Sequence, residues 1–172
     1  PKLRRLNALW SEIFIDCEFP ALREARINSM RGPSTLDPST STTFSRAAAI
    51  ITASPLLKKL EILLPPGFSA QRQIYVAISK LRHLEELTLC TTDSSLSLRP
   101  LLDAEEELAT PKSAAQETMP ALQTLRIILK TCGRGNDTLV NELVELLLIR
   151  YYRREGHTYS EAKTKMTQAR QA

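Results

Sequence analysis

The chain has 172 residues, of which 42% are hydrophobic and 24% are charged, a balance typical of one globular domain with its own core. Aromatic residues make up 5% and glycine contributes five residues, so the composition disfavours all-β sandwiches and barrels. The longest charge-free apolar stretch, residues 47–57, is shorter than the ~18 residues that a membrane-spanning helix needs.

The net charge of +4 comes from the C-terminal end of the chain. Beyond residue 149, Glu155 and Glu161 stand against six basic residues: Arg150, Arg153, Arg154, Lys163, Lys165 and Arg170. Residues 1–149, the body of the chain, are therefore neutral overall. A domain that binds nucleic acid normally has a basic face. We expect no nucleic-acid binding by this body. Binding of nucleic acid or another acidic surface by the basic tail stays open as an alternative function.

The three cysteines, Cys17, Cys90 and Cys132, are widely spaced and form no C-x-x-C pair, which is typical of a reducing compartment. We therefore predict an intracellular protein, cytoplasmic or nuclear, that is not a membrane protein. The sequence begins at Pro1 rather than at a methionine, and we interpret it as a fragment. Whether further repeats follow residue 172, and the oligomeric state, are left open.

The pattern L-x-x-L-x-L, the strand signature of leucine-rich repeats, recurs along the chain in complete or degenerate form. Its copies occupy residues 3–8, 22–27, 57–62, 84–89 and 122–127. Prolines precede four of them at the same or nearly the same place: Pro1, Pro20, Pro55 and Pro120. Alternate side chains of a strand point to one face. The repeats therefore predict parallel strands centred on Leu6, Ala25, Leu60, Leu87 and Leu125.

Helical patterns fall between these strands. One follows residues 44–51, and a second places Ala70, Ile74, Ala77, Ile78 and Leu81 on one face behind Ser69 as the N-cap. A third covers residues 100–108, and a fourth residues 138–153. The predicted buried face of the fourth is apolar: Leu139, Val140, Leu143, Val144, Leu147 and Tyr151.

The spacing of the repeats is irregular. The first leucines lie 19, 35, 27 and 38 residues apart, so residues 31–43 and 109–120 are predicted to be exposed, mobile insertions. The position that holds a buried asparagine in regular repeats is occupied by Met30, Pro65, Thr92 and Lys130. No asparagine ladder can form, and successive coils must be joined in another way.

These patterns predict an α/β fold, an irregular leucine-rich-repeat solenoid segment with parallel strands on its concave face and helices on its convex face. Residues 1–136 would form the solenoid. Residues 137–172 would form a final convex helix and the basic tail, as a helical C-terminal extension.

The repeat region resembles that of fungal F-box/leucine-rich-repeat proteins, most closely in residues 78–89. The likeness extends over roughly residues 1–150. It implies a protein-recognition module that recruits substrate to a cullin-RING ubiquitin ligase. In that family a separate F-box binds the ligase adaptor, and no stretch of these 172 residues resembles one.

Catalytic, metal and cofactor sites are not predicted. His83 falls in a turn with no partner to orient it, and two distant histidines with three scattered cysteines do not make a metal site. The glycines of residues 133–135 lack the lysine of a phosphate loop. The acidic run at residues 105–107 is interpreted as a solvated helix face.

The concave face is the predicted binding surface. Its first column is Arg5, Glu24, Lys59, Glu86 and Thr124, with alternating charges that favour cross-strand ion pairs. Its second column is Asn7, Arg26, Glu61, Thr88 and Arg126, and its third is Leu9, Asn28, Leu63, Cys90 and Ile128. The residues predicted to contact a protein partner are Arg26, Glu61, Leu63, Thr88, Cys90, Arg126 and Ile128.

Overall fold

A computed structural model describes residues 3–9, 19–28, 47–64, 68–91, 96–108, 119–129 and 137–169. These residues fall into two compact units. The sheet unit comprises residues 1–96 and 119–133, and the helical unit comprises residues 97–118 and 134–172. Almost all of the two predicted insertions, residues 31–43 and 109–118, lies outside the described residues.

The sheet unit contains five parallel strands arranged in chain order. They are β1 (Arg5–Leu9), β2 (Glu24–Asn28), β3 (Lys59–Leu64), β4 (Glu86–Thr91) and β5 (Thr124–Leu129). Each strand contains one of the five predicted centres, so the α/β class and the parallel strands are confirmed. The degenerate repeats at residues 3–8 and 22–27 form strands as the complete ones do.

The register of the sheet aligns equivalent positions of the repeats. Leu60 pairs with Ala25 and Leu87, and Leu87 pairs in turn with Leu125. The polar column pairs in the same way, since Lys59 lies opposite both Glu24 and Glu86. The columns predicted from the motif are therefore those of the sheet.

A proline turn leads into three of the strands. In each turn the carbonyl oxygen of the residue before proline accepts a hydrogen bond from the first leucine of the repeat, at 3.0–3.1 Å. The pairs are Phe19–Leu22, Ser54–Leu57 and Met119–Leu122. Proline suits the second position of such a turn because its φ is fixed near −65°. The recurring proline of the repeat thus sets the turn and directs the leucine into the core.

Successive coils are joined by a backbone ladder at the start of the strands. The carbonyl of Arg4 accepts hydrogen bonds from the amides of Arg23 and Glu24 at 2.8 and 3.1 Å. The carbonyls of Arg23, Lys58 and Glu85 each accept two amides of the next coil in the same way. These bonds need no particular side chain, and they join the segments that lead into neighbouring strands. The four positions that would carry the asparagines lie outside the described residues.

The core of the sheet unit is built from alternate strand residues and two helices. Leu60, Ile62, Leu87 and Leu89 are buried, and so are Ile74, Tyr75 and Ile78 of the helix between β3 and β4. Residues 47–52 form α1, and α2 spans Phe68–Ser79. Ser69 was predicted to cap α2, but the helix already begins at Phe68. Leu6 and Leu125 are half-buried because the outermost strands have a neighbour on one side only.

The helical unit contains α3 (Arg99–Leu108), α4 (Asp137–Arg154) and α5 (Tyr159–Ala169). Helix α4 contacts both α3 and α5. The sequence placed a boundary at residues 136 and 137, whereas α3 groups with the two C-terminal helices. Residues 159–169 of the basic tail are helical, in agreement with a helical extension.

The buried face predicted for α4 is largely wrong. Val140, Leu147 and Tyr151 are 54–57% exposed, and Val144 is also exposed. The buried residues are Leu139, Leu146, Ile149, Arg150 and Arg153. The helix is therefore rotated so that two arginines lie inside and an apolar stripe lies outside.

The link between α4 and α5 is fixed by local hydrogen bonds. The amide of Gly156 donates to the carbonyl of Arg153 at 3.0 Å and that of His157 to Tyr152 at 3.1 Å, the pattern of a Schellman cap. Thr158 and Glu161 then form a capping box, in which a Glu161 oxygen accepts the Thr158 amide at 2.8 Å. This bond and a second one from the Thr158 hydroxyl lower the pKa of Glu161.

Replacing Gly156 with alanine should destabilise this link. Gly156 has a φ of +91°, a conformation that residues with a Cβ rarely adopt, while an added Cβ would meet no atom within 4 Å. The cost is therefore conformational, about 1 kcal/mol. Urea denaturation should show this loss for Gly156→Ala, and the exposed Ser160→Ala in the first turn of α5 is a control expected to change little. Equal stability of Gly156→Ala and wild type would contradict the cap.

Candidate functional site

The side chains of the sheet that point away from the core form a polar surface, which we call the charged face. It consists of Arg5, Asn7, Glu24, Arg26, Lys59, Glu61, Glu86, Thr88, Thr124 and Arg126. These residues alternate along the strands with the buried leucines and isoleucines. An open groove of about 460 Å³ runs across this face from β1 to β5.

Ion pairs cross the charged face from strand to strand. Arg5 pairs with Glu24 at 3.0 Å, and Arg26 pairs with Glu61 at 3.0 Å. Lys59 pairs with Glu86 at 2.6 Å, as the alternating charges of the first column predicted. Each pair is solvent-exposed, so it contributes little to the stability of the fold. Their main effect is to fix the positions of the charges.

The electrostatics of these pairs are visible in two pKa values. The hydrogen bond to Glu86 and the charge of that carboxylate raise the pKa of Lys59 above its ordinary value. Beside the charged face, Lys58 forms an ion pair with Glu85 and lowers the pKa of that carboxyl through their hydrogen bond. Both shifts keep the groups ionised at neutral pH, Lys59 as a cation and Glu85 as an anion.

Arg126 differs from the other cations of this face. Among the described residues of the chain, no carboxylate lies within ion-pair distance of it, whereas Arg5, Arg26 and Lys59 each have one. Its register partner on β4 is Thr88, which carries no charge. Arg126 is also exposed, so its guanidinium is available to an acidic group from outside the sheet.

The predicted contact residues are brought together, with one correction. Arg26 and Arg126 are exposed, and Glu61, Leu63 and Thr88 are half-buried. Ile128 is exposed at 45%, as predicted, but Cys90 is buried and offers no contact surface. Both faces of β4 are covered at its C-terminal end, where Thr91 is also buried. Leu9 belongs to β1, but its side chain lies outside the described part.

A buried ion cluster in the helical unit was not predicted. Glu105 of α3 is fully buried and accepts a hydrogen bond from Arg153 at 3.1 Å. Arg150 lies 3.9 Å from the same carboxylate and is also buried. The interpretation of residues 105–107 as a solvated face is therefore wrong for Glu105. The sequence feature that could have indicated this cluster is the i, i+3 spacing of the two arginines. This spacing places both on one side of an apolar helix.

The neighbouring residues of this unit form further cross-helix contacts. Glu106 lies 3.6 Å from Lys163 and 3.5 Å from the hydroxyl of Tyr159. Burial, and then the charge of Glu106, raises the pKa of Tyr159 to about 12. Glu142 of α4 accepts the amide of Leu98 at 2.6 Å and the hydroxyl of Ser97, and so binds the start of α3. These contacts hold the helices together.

The described part of the chain contains no group of three or more His, Cys, Asp or Glu side chains that could hold a metal ion. His83 is exposed in the turn before β4, as predicted. No described helix is both long enough and apolar enough to cross a membrane.

No protein-family model matches the chain, and no curated protein matches it.

Proposed function

We propose that this chain is a protein-recognition module whose charged face binds another protein, and that it has no catalytic role. The observation that carries this proposal is the groove of the charged face, which is lined by side chains from all five strands. Only the buried leucines and isoleucines on the other side of the strands are needed for packing. The groove side is therefore free to serve recognition.

The composition of this face supports a protein partner. Arg26, Glu61 and Arg126 lie beside the half-buried Leu63 and the exposed Ile128. Charged groups around apolar ones are typical of protein interfaces, in which the centre is desolvated and the rim stays polar. The nearly balanced charge of the face does not favour nucleic acid, which requires a cationic surface.

We further propose that the sheet unit is a segment of an irregular leucine-rich-repeat solenoid with the charged face on its concave side. The chain order of the parallel strands, the shared register and the recurring proline turns support this proposal. Recruitment of a substrate to an F-box-type ubiquitin ligase is then the role that the resemblance of residues 78–89 favours. Contact with the ligase adaptor would need an F-box, which these residues do not supply.

The alternative of nucleic-acid binding by the basic tail is less well supported. Of its six basic residues, Arg150 and Arg153 are buried against Glu105, and Lys163 lies 3.6 Å from Glu106. Two of the six cations are thus buried inside the protein, and a third is paired at its surface. Binding that falls steeply with salt and disappears on deletion of residues 150–172 would favour this alternative.

Charge reversal on the charged face should abolish partner binding. Arg126→Glu replaces a cation that has no ion-pair partner among the described residues, so the fold should tolerate it. The Arg26→Glu, Arg126→Glu double variant also opposes the carboxylate of Glu61. Loss of one charged hydrogen bond and a new repulsion should weaken binding at least tenfold for the single variant and further for the double.

The measurement is capture of proteins from a fungal lysate on the immobilised chain, followed by titration of each captured protein in purified form. Arg72→Glu is the matched control, because Arg72 is exposed on α2 and belongs to no part of the charged face. Partners that survive the double reversal unchanged would exclude this face. Direct capture of the ligase adaptor by the purified chain would refute the expectation that an F-box is needed.

A further inference from the structure

A second open cavity lies outside the charged face, where β1 and β2 begin. Its volume is about 480 Å³, and its lining residues are Arg4, Pro20, Ala21, Arg23 and Leu56. None of these residues lines the groove of the charged face. We call this cavity the arginine cleft. It combines two guanidinium groups with apolar walls.

The two arginines are neighbours across adjacent coils. The carbonyl of Arg4 accepts the amide of Arg23 at 2.8 Å, so their backbones are in direct contact. Adjacent strands of a sheet lie about 4.8 Å apart, so two residues of like charge extend from neighbouring backbone positions. On the charged face, by contrast, Arg5 lies opposite Glu24 and Arg26 opposite Glu61. The arginine cleft is thus a local exception to the alternating charges of this sheet.

In the described ranges of the chain, neither Arg4 nor Arg23 lies within ion-pair distance of an acidic side chain. Lys58 occupies the equivalent position of the next coil, but it is paired with Glu85 and not with the cleft. Among the described residues, two cations therefore line this cavity without a counter-charge.

One arginine is already oriented for a ligand. Nη1 of Arg23 donates to the carbonyl of Leu56 at 3.3 Å, and the residue is half-buried. This bond fixes one edge of the guanidinium and leaves donors on its other edge. Arg4 is exposed and can turn toward the cavity. The pair offers two planar sets of donors, the geometry that oxyanions of phosphate accept in bidentate form.

We propose that the arginine cleft binds a phosphate monoester. Two guanidinium groups match the charge of about −1.5 to −2 that such a group carries at neutral pH, whereas a carboxylate would neutralise only one of them. The side chains of Pro20, Ala21 and Leu56 provide an apolar wall for the carbon side of the ester. The ester is either a small metabolite or a phosphorylated side chain of a protein. The proposal is independent of the charged face.

The test is calorimetric titration of the purified chain at constant ionic strength with two probes, glycerol 3-phosphate and a short phosphoserine peptide. Arg4→Gln and Arg23→Gln should each weaken binding at least tenfold, since each removes a charge-assisted pair of hydrogen bonds. Arg5→Gln is the matched control. It loses the same charge one residue away, but Arg5 faces the other groove and pairs with Glu24.

A structural defect is separated from a binding defect by thermal melting. Because Arg4 is exposed and has no ion-pair partner among the described residues, Arg4→Gln should keep the melting temperature of the wild type while phosphate binding weakens. Saturable binding of the peptide alone assigns the cleft to a phosphorylated protein, and binding of both probes assigns it to phosphate monoesters in general. No saturable binding of either probe overturns the proposal. So does equal weakening by Arg5→Gln, or equal affinity for a peptide with glutamate in place of phosphoserine.

Discussion

Leu87→Asp is expected to unfold the sheet unit. Leu87 is fully buried in β4, between the register partners Leu60 and Leu125. The change removes about 1.5–3 kcal/mol of apolar burial and places a carboxylate in the core, where an unpaired charge costs several kcal/mol more. The sum approaches the total stability of an ordinary domain, about 5–15 kcal/mol. Circular dichroism should show the loss of cooperative thermal unfolding.

The next residue of the same strand provides the control. Thr88 is half-buried on the charged face, so Thr88→Asp introduces the same charge on the other side of β4. This variant should fold and melt within about 1 kcal/mol of the wild type. A soluble Leu87→Asp protein with a cooperative transition like that of Thr88→Asp would show that the motif leucines do not form the core.

The strands and their register could be predicted because two constraints act together. Alternation within L-x-x-L-x-L determines which side chains are buried, and a shift of one residue would expose all of them. Each repeat then crosses back to the same end of the sheet before its strand begins, so the strands are parallel. This is why Lys59 and Glu86 could be paired from the sequence alone. The backbone ladder from Arg4 to Glu85 was not predictable, because it depends on no side chain.

In the third column of the sheet, alternation alone does not predict which side chains are buried. Alternation places Cys90, Leu63 and Ile128 on the same side of the sheet as the charged face, yet Cys90 is buried. Alternation fixes the side of the strand on which a residue lies, but coverage of that side depends on neighbouring segments. The end of a strand is therefore less predictable than its middle. Of the three, Ile128 on the outermost strand is the exposed one.

The buried face of helix α4 was predicted wrongly for a different reason. The sequence offers a strongly apolar stripe through Val140, Leu147 and Tyr151, and hydrophobicity alone selects it as the buried face. The structure instead buries the side that carries Arg150 and Arg153, because Glu105 on α3 compensates both charges. Because Glu105 lies 45 residues or more before these arginines, the sequence of α4 alone does not indicate that they have an acidic partner.

Glu105→Gln is expected to destabilise the helical unit by about 3–5 kcal/mol, the usual effect of removing one member of a buried ion cluster. Glutamine keeps the shape of the side chain but removes the negative charge next to two buried guanidinium groups. Of the two, Arg153 is the less exposed, at 3% of its side chain. Urea denaturation followed by circular dichroism measures the loss. The difference should persist at 1 M salt, because buried charges are screened weakly.

Glu106→Gln is the matched control for this effect. It makes the same substitution one residue later, at an exposed carboxylate 3.6 Å from Lys163, where about 1 kcal/mol or less is at stake. A triple variant with methionine at residues 105, 150 and 153 removes all three charges and should regain most of the lost stability, since well-packed apolar residues often replace a buried ion cluster without penalty. Equal stability of Glu105→Gln and Glu106→Gln would mean that Glu105 is solvated, as the acidic run alone suggested. A triple variant as unstable as Glu105→Gln would mean that the carboxylate acts through packing and not through its charge.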